Sequence, residues 1–177
     1  MAQPLTAILF DFGGTLDSDG APWLERFQHI YKEEGLRASK EEFATAFYRG
    51  DDALPSRFNL SGLGLGETIR LQAGCVSAAL APSEPGLAER VARRFTAQSR
   101  LTLARNRPLL ERLARRFRLG IVSNFYGNLD SILAGEGLRD LFGTVMDSER
   151  VKCMKPEREI FLRALDALGA TPGSACM

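Results

Sequence analysis

Residues 7–18 read AILFDFGGTLDS, and the abruptness of the change inside this stretch constrains the fold more than any other part of the chain. Ala7, Ile8, Leu9 and Phe10 make a short apolar run of the kind a central parallel strand requires. The run stops at Asp11, and Gly13–Gly14 let the backbone turn sharply where the strand ends. An acidic residue at the carboxyl end of such a strand lies where open α/β sheets place their ligands. Asp11 is therefore a candidate nucleophile or metal ligand; the plain alternative is a turn-initiating Asp before two glycines.

The second half of the chain supplies the partners such a strand needs. Leu119–Val122 form another apolar run ending at Ser123-Asn124, and a short one around 143–146 stops at Asp147. Helical patterns fall between and after them, from Pro108 to about Phe117, at 127–135 and at about 157–168, the last closed by Gly169. Strands alternating with helices mean a parallel sheet covered by helices. Residues 17–100 carry no strand signal. After a Gly-rich loop at 17–21, Pro22 opens a helix with Trp23, Leu24, Phe27, Ile30 and Tyr31 on one side, closed by Gly35. Ser39–Glu42 form a capping box for a second helix whose apolar stripe is Phe43, Ala46, Phe47 and Tyr48. Residues 50–66 read as a loop, and two more helices are expected near 67–80 and 86–99. The fold class is thus α/β, a core of residues 1–16 and 101–177 interrupted by a helical cap at 17–100. Residues 170–177, ATPGSACM, lead into the first residues of a further strand, and the expectation is a piece of a longer protein, the alternative being a natural short form.

Composition excludes several classes. The 177 residues suffice for one compact domain with an inserted subdomain, and a net charge of +1 gives no reason to expect a nucleic-acid or membrane partner. Ten arginines crowd residues 90–118 at helical spacing without aromatic interleaving, which reads as a solvated face. Cys75, Cys153 and Cys176 are far apart and lack metal-ligand spacing, as suits reduced thiols in the cytoplasm. No apolar stretch approaches a membrane span, and nothing resembles a signal peptide. His29 is the single histidine, in a structural helical setting, so a His-based triad or zinc site is improbable. The expected protein is a monomer or homodimer.

Asp11 with its glycines, Ser123-Asn124, and Lys155 before a helix can converge at one sheet edge. Together they suit phosphoryl transfer, in which a carboxylate attacks while a hydroxyl, backbone N–H groups and an ammonium hold the phosphoryl oxygens. Taken singly, Ser123-Asn124 reads as a plain turn, Lys155 as a solvated charge and Asp11 as a cap.

In this order the residues resemble the haloacid dehalogenase superfamily of hydrolases, specifically members with a helical cap after the first motif. That motif is matched by Asp11-Phe12-Gly13-Gly14-Thr15-Leu16, the second by Ile121-Val122-Ser123-Asn124 and the third by Lys155-Pro156-Glu157-Arg158-Glu159-Ile160-Phe161. The resemblance implies a Rossmann-like core and a covalent aspartyl intermediate on Asp11, with Lys155 as its catalytic partner. It also implies Mg²⁺ held by Asp11 and the Gly13 carbonyl. A small phosphorylated molecule would be bound by Phe12, Gly13, Ser123, Asn124 and Lys155.

Two departures qualify this. The family's phosphatases carry a second Asp, the general acid/base, where this chain has Gly13. Proton donation is worth roughly 10²–10⁴-fold, so alkyl phosphates should turn over slowly and acyl or aryl phosphates suffer less. Haloacid dehalogenases and phosphonoacetaldehyde hydrolases also lack that Asp, but the former carry an aromatic residue there. The latter need a cap lysine, and Lys32 and Lys40 both look exposed. The family's acidic fourth motif would follow Met177, and without its strand the Asp11 strand would be an exposed edge. A catalytically weak relative that binds a phosphorylated ligand or a partner is the alternative to the phosphatase, and a 2-haloacid dehalogenase-like hydrolase the third reading.

Overall fold

A computed structural model describes residues 3–177. Four parallel strands form one sheet, β1 (Ala7–Phe10), β2 (Arg118–Ser123), β3 (Thr144–Asp147) and β4 (Ala175–Cys176), in the order β3-β2-β1-β4. Alternate residues of β1 face opposite layers. Ala7 and Leu9 pack with Val122 under α6 (Arg158–Ala167), through Ile160, Ala164 and Leu165. Ile8 and Phe10 face a larger core holding Leu119, Ile121 and the Leu129, Ile132 and Leu133 of α5 (Leu129–Gly135). Gly120 lies where the two packed layers leave no room, since a Cβ there would meet Leu9 at 2.9 Å, Thr144 at 3.0 Å and Leu168 at 3.1 Å.

The edge expected beside β1 is half covered. Ala7 pairs with Ala175 and Ile8 with Cys176, so the last described residues already form the start of the neighbouring strand. Leu9 and Phe10 have no partner on that side among the described residues.

The helical insertion comprises α1 (Trp23–Glu33), α2 (Lys40–Arg57), α3 (Leu65–Leu80) and α4 (Leu87–Ala114). On α1, Trp23, Phe27, Ile30 and Tyr31 are buried at helical spacing, and Gly35 follows with φ 95°. The capping box of α2 is present: the Glu42 N–H donates to Ser39 Oγ at 3.2 Å, and the Ser39 N–H donates to Glu42 Oε2 at 2.8 Å. These helices share one apolar core with the α5 face of the sheet, joined through Phe12, Leu16 and Phe125.

Three sequence expectations need correction. Residues 50–57 are not loop; α2 continues through them, with Leu54 fully buried. Pro55 sits in its last turn and costs one helical bond, that of its missing N–H to the Asp51 carbonyl. Second, the helices expected at 86–99 and from Pro108 are a single 28-residue helix, α4. Pro108 frees the carbonyl four residues back, but Ala104 is exposed and water can satisfy it. Third, Tyr48 is 54% exposed and stands outside the apolar stripe of α2. His29 is also exposed, 3.3 Å from Glu33 one turn on.

The arginine-rich stretch is laced with ion pairs. Arg90 and Arg94 both reach Glu34, Arg100 reaches Glu136 and Arg105 reaches Asp19. No described helix is long and apolar enough to cross a membrane.

Candidate active site

Parallel pairing of Phe10 with Ile121 and of Ser123 with Asp147 brings three strand ends to one edge. Asp11 follows β1 directly with extended backbone. Its Oδ1 accepts three hydrogen bonds, from the Phe12 N–H, from Ser123 Oγ and from Lys155 Nζ, each at 2.8 Å. All three converge on the same oxygen, so Oδ2 stays free of them. The Asp11 side chain is 31% exposed and that of Lys155 21%, open enough for a ligand to reach. Ser123 is buried and fixed at the tip of β2.

Asn124 serves the site indirectly. Its Oδ1 accepts the Lys155 N–H at 2.7 Å and its Nδ2 donates to the Lys155 carbonyl at 3.1 Å. That two-way clamp fixes the main chain from which the lysine extends. Phe12 contributes its N–H, while its ring is buried edge-on to Phe125, centroids 5.7 Å apart. Gly13 has φ −68° and ψ 120°, which any residue can adopt, whereas Gly14 has φ 83° and favours glycine.

Sequence reasoning missed the support beneath this turn. Asp17, read as loop, is completely buried. Its carboxylate accepts from the Gly14 N–H, Trp23 Nε1 and Arg26 Nη1, each at 2.8 Å, and from Ser99 Oγ at 3.1 Å. The Arg26 guanidinium also stacks on the Phe95 ring, 3.8 Å from its centroid. The glycine turn beside Asp11 is thereby tied to α1 and α4. The only sequence sign was an acidic residue six positions beyond Asp11.

Asp147, at the end of β3, is likewise structural. Its carboxylate receives the N–H groups of Gly127, Leu129 and Glu149 at 2.9–3.1 Å, shaping the loop after β2. Burial pushes its carboxyl up, opposed by those N–H groups.

The structure also tests the metal expectation. Asp11 Oδ2 and the Gly13 carbonyl are hard oxygen donors of the kind Mg²⁺ takes, and Oδ2 carries none of the three hydrogen bonds. No group of three His, Cys, Asp or Glu gathers among the described residues. Mg²⁺ commonly keeps several waters and binds through one or two carboxylates plus substrate phosphate. The residues present fit that pattern.

A profile of haloacid dehalogenase-like hydrolases matches residues 5–177. The chain belongs to this family. Among curated proteins, 61 residues are 44% identical to haloacid dehalogenase-like hydrolase domain-containing protein 3 of Mus musculus, covering 34% of this chain and 24% of that protein. The Homo sapiens protein of the same name is 44% identical over 57 residues, 32% of this chain and 23% of that protein. The matching segment thus spans about a quarter of these relatives. The solved structure of a HAD family enzyme from Bacteroides thetaiotaomicron superposes with TM-score 0.57 at 20% identity, covering 98% of this chain and 83% of that one. L-2-haloacid dehalogenase from Xanthobacter autotrophicus superposes with TM-score 0.52 at 19% identity, covering 97% and 68%. At these identities the structural likeness concerns the fold.

Proposed function

We propose that this haloacid dehalogenase-like hydrolase is an Mg²⁺-dependent phosphatase of small phosphorylated metabolites, working through an aspartyl-phosphate on Asp11. The observation that supports it best is the three-donor grip on Asp11 Oδ1, which orients Oδ2 for attack. Oδ2 attacks phosphorus as the bond to the leaving oxygen breaks. Ser123 and Lys155 then hold the phosphoryl oxygens, and the lysine ammonium offsets the repulsion between an anionic nucleophile and an anionic substrate. Bound Mg²⁺ would supply further neutralisation of the phosphoryl charge, held by Asp11 and the Gly13 carbonyl. Because Gly13 offers no proton, the leaving oxygen takes one from water, and a second water hydrolyses the aspartyl-phosphate.

The test is phosphate release from an aryl phosphate with Mg²⁺, together with mass spectrometry of the peptide containing Asp11. Asp11→Asn should abolish both release and the phosphoryl adduct. Release that survives this substitution, or inertness toward acyl, aryl and alkyl phosphates alike, would overturn the reading. A second reading, metal-free attack of the Lys155-paired carboxylate on a 2-haloacid, is favoured by Gly13, because a departing halide needs no proton donor. Chloride release unaffected by chelator would establish it.

A further inference from the structure

Between the helical insertion and the sheet, a cavity of about 230 Å³ opens beside Gly13 and Asn124. Its walls are aromatic: Trp23 of α1, Phe47 and Tyr48 of α2, and Phe125 and Tyr126 of the loop after β2. The rings pack against one another, Trp23 to Phe125 at 5.6 Å and Phe125 to Tyr126 at 4.7 Å between centroids. One carboxylate lines the same cavity, that of Asp51. The Tyr126 hydroxyl donates to its Oδ1, and Gln72 Nε2 lies 3.4 Å from that oxygen. No lysine or arginine among the described residues pairs with it. Burial raises its carboxyl above the usual range, with the Tyr126 hydroxyl opposing and Asp52 adding to the rise. A half-buried carboxylate with only neutral partners, bordered by aromatic side chains, lacks a positive charge. The small volume limits that charge to a compact group.

We infer that this cavity receives the cationic end of the substrate, a phosphate monoester of a small amino alcohol, its ammonium among the aromatic rings against Asp51 and its phosphate at Asp11. The inference rests on the phosphatase reading and adds the leaving group. It also bears on Gly13. A positive charge close to the ester oxygen stabilises the departing alkoxide electrostatically, lowering the demand for the proton donor this position cannot provide. The phosphorus–oxygen bond breaks with its electron pair passing to the alcohol oxygen, which takes a proton from water. Hydrolysis of the aspartyl-phosphate then consumes one water, giving amino alcohol and phosphate.

Trp23, the chain's single tryptophan, lines the cavity and reports on it without any turnover. Its fluorescence should be titrated with choline and with 3,3-dimethylbutan-1-ol, the uncharged compound of the same shape. Choline should bind about tenfold more tightly, and Asp51→Asn should bring the ratio close to one. Tyr48→Ala, at an exposed position that the fold does not need, should weaken choline more than the alcohol. Melting curves establish that each variant is folded; the comparison on the unaltered chain decides the matter even if one is not. Equal affinities, no binding of choline, or an unchanged ratio in folded Asp51→Asn would overturn the inference. Since no readout uses Asp11, such a failure beside intact aryl phosphatase activity would remove the amino alcohol and leave the phosphatase.

Discussion

Replacing Arg26 with methionine isolates the tie between the glycine turn and the helices. The guanidinium is 9% exposed and Asp17 wholly buried, so the substitution leaves a carboxylate in the interior without its countercharge. Breaking a buried pair from one side costs about 3–5 kcal/mol. The lower end applies, because the Gly14 N–H, Trp23 Nε1 and Ser99 Oγ remain as donors and methionine keeps much of the contact with Phe95. At roughly 2–4 °C per kcal/mol for a chain of this size, a loss of about 3 kcal/mol lowers Tm by about 6–12 °C. Circular-dichroism melts and urea titrations measure both quantities. The double variant Asp17→Asn with Arg26→Met removes the stranded charge as well, and its cost should fall short of the summed single costs by at least about 1 kcal/mol. An Arg26→Met loss below about 1 kcal/mol, the range of exposed ion pairs, would refute the claim that this pair anchors the turn.

Gly13→Asp should fold normally, since φ −68° suits any residue and its Cβ would meet the Trp23 indole at an ordinary 3.5 Å. If proton donation limits turnover, kcat/KM for an alkyl phosphate should rise toward the roughly 10²–10⁴-fold ceiling while that for an aryl phosphate rises far less; equal gains would contradict the role given to this position. Gly120→Ala should cost about 1–3 kcal/mol in denaturant titrations, because its methyl would sit 2.9–3.1 Å from Leu9, Thr144 and Leu168. Asp51 carries a pH signature: with its carboxyl raised by burial, the folded state binds its proton more tightly than the unfolded chain does. Its contribution to stability therefore declines as pH rises from its ordinary value of 3.8 through the raised one, and Tm of Asp51→Asn relative to the unaltered chain should climb over that interval.

What could be read in advance follows from which forces act locally. β1, β2 and β3 announced themselves because strands buried on both faces need unbroken apolar runs, and Ser39 and Glu42 because a capping box is written in four consecutive residues. The convergence of Asp11, Ser123 and Lys155 was legible because parallel pairing brings successive strand tips to one edge. The extension of α2 was not, since Gly50, Asp51, Asp52 and Pro55 are poor helix formers. Packing against α3 overrides them: Leu54 is buried, and Gly50 approaches Cys75 so closely that a Cβ would lie 2.9 Å from it. Asp17 and Asp51 were invisible for another reason. A buried carboxylate and a solvated one look the same in sequence, and the partners that decide between them lie on other elements: Trp23, Arg26 and Ser99 for the first, Tyr126 for the second.

Two connections lead from the strands into the helical insertion, and neither is slack. One is the run of residues 17–22, held by the buried Asp17 and by Ser18 Oγ, which donates to the Gly14 and Ala21 carbonyls; the other is α4, a single helix that packs on α3 and leads into β2. A rod clamped at both ends resists folding like a hinge. Widening of the aromatic mouth therefore has to break the Asp17 contacts or bend α4, and the width of that mouth is built into the fold.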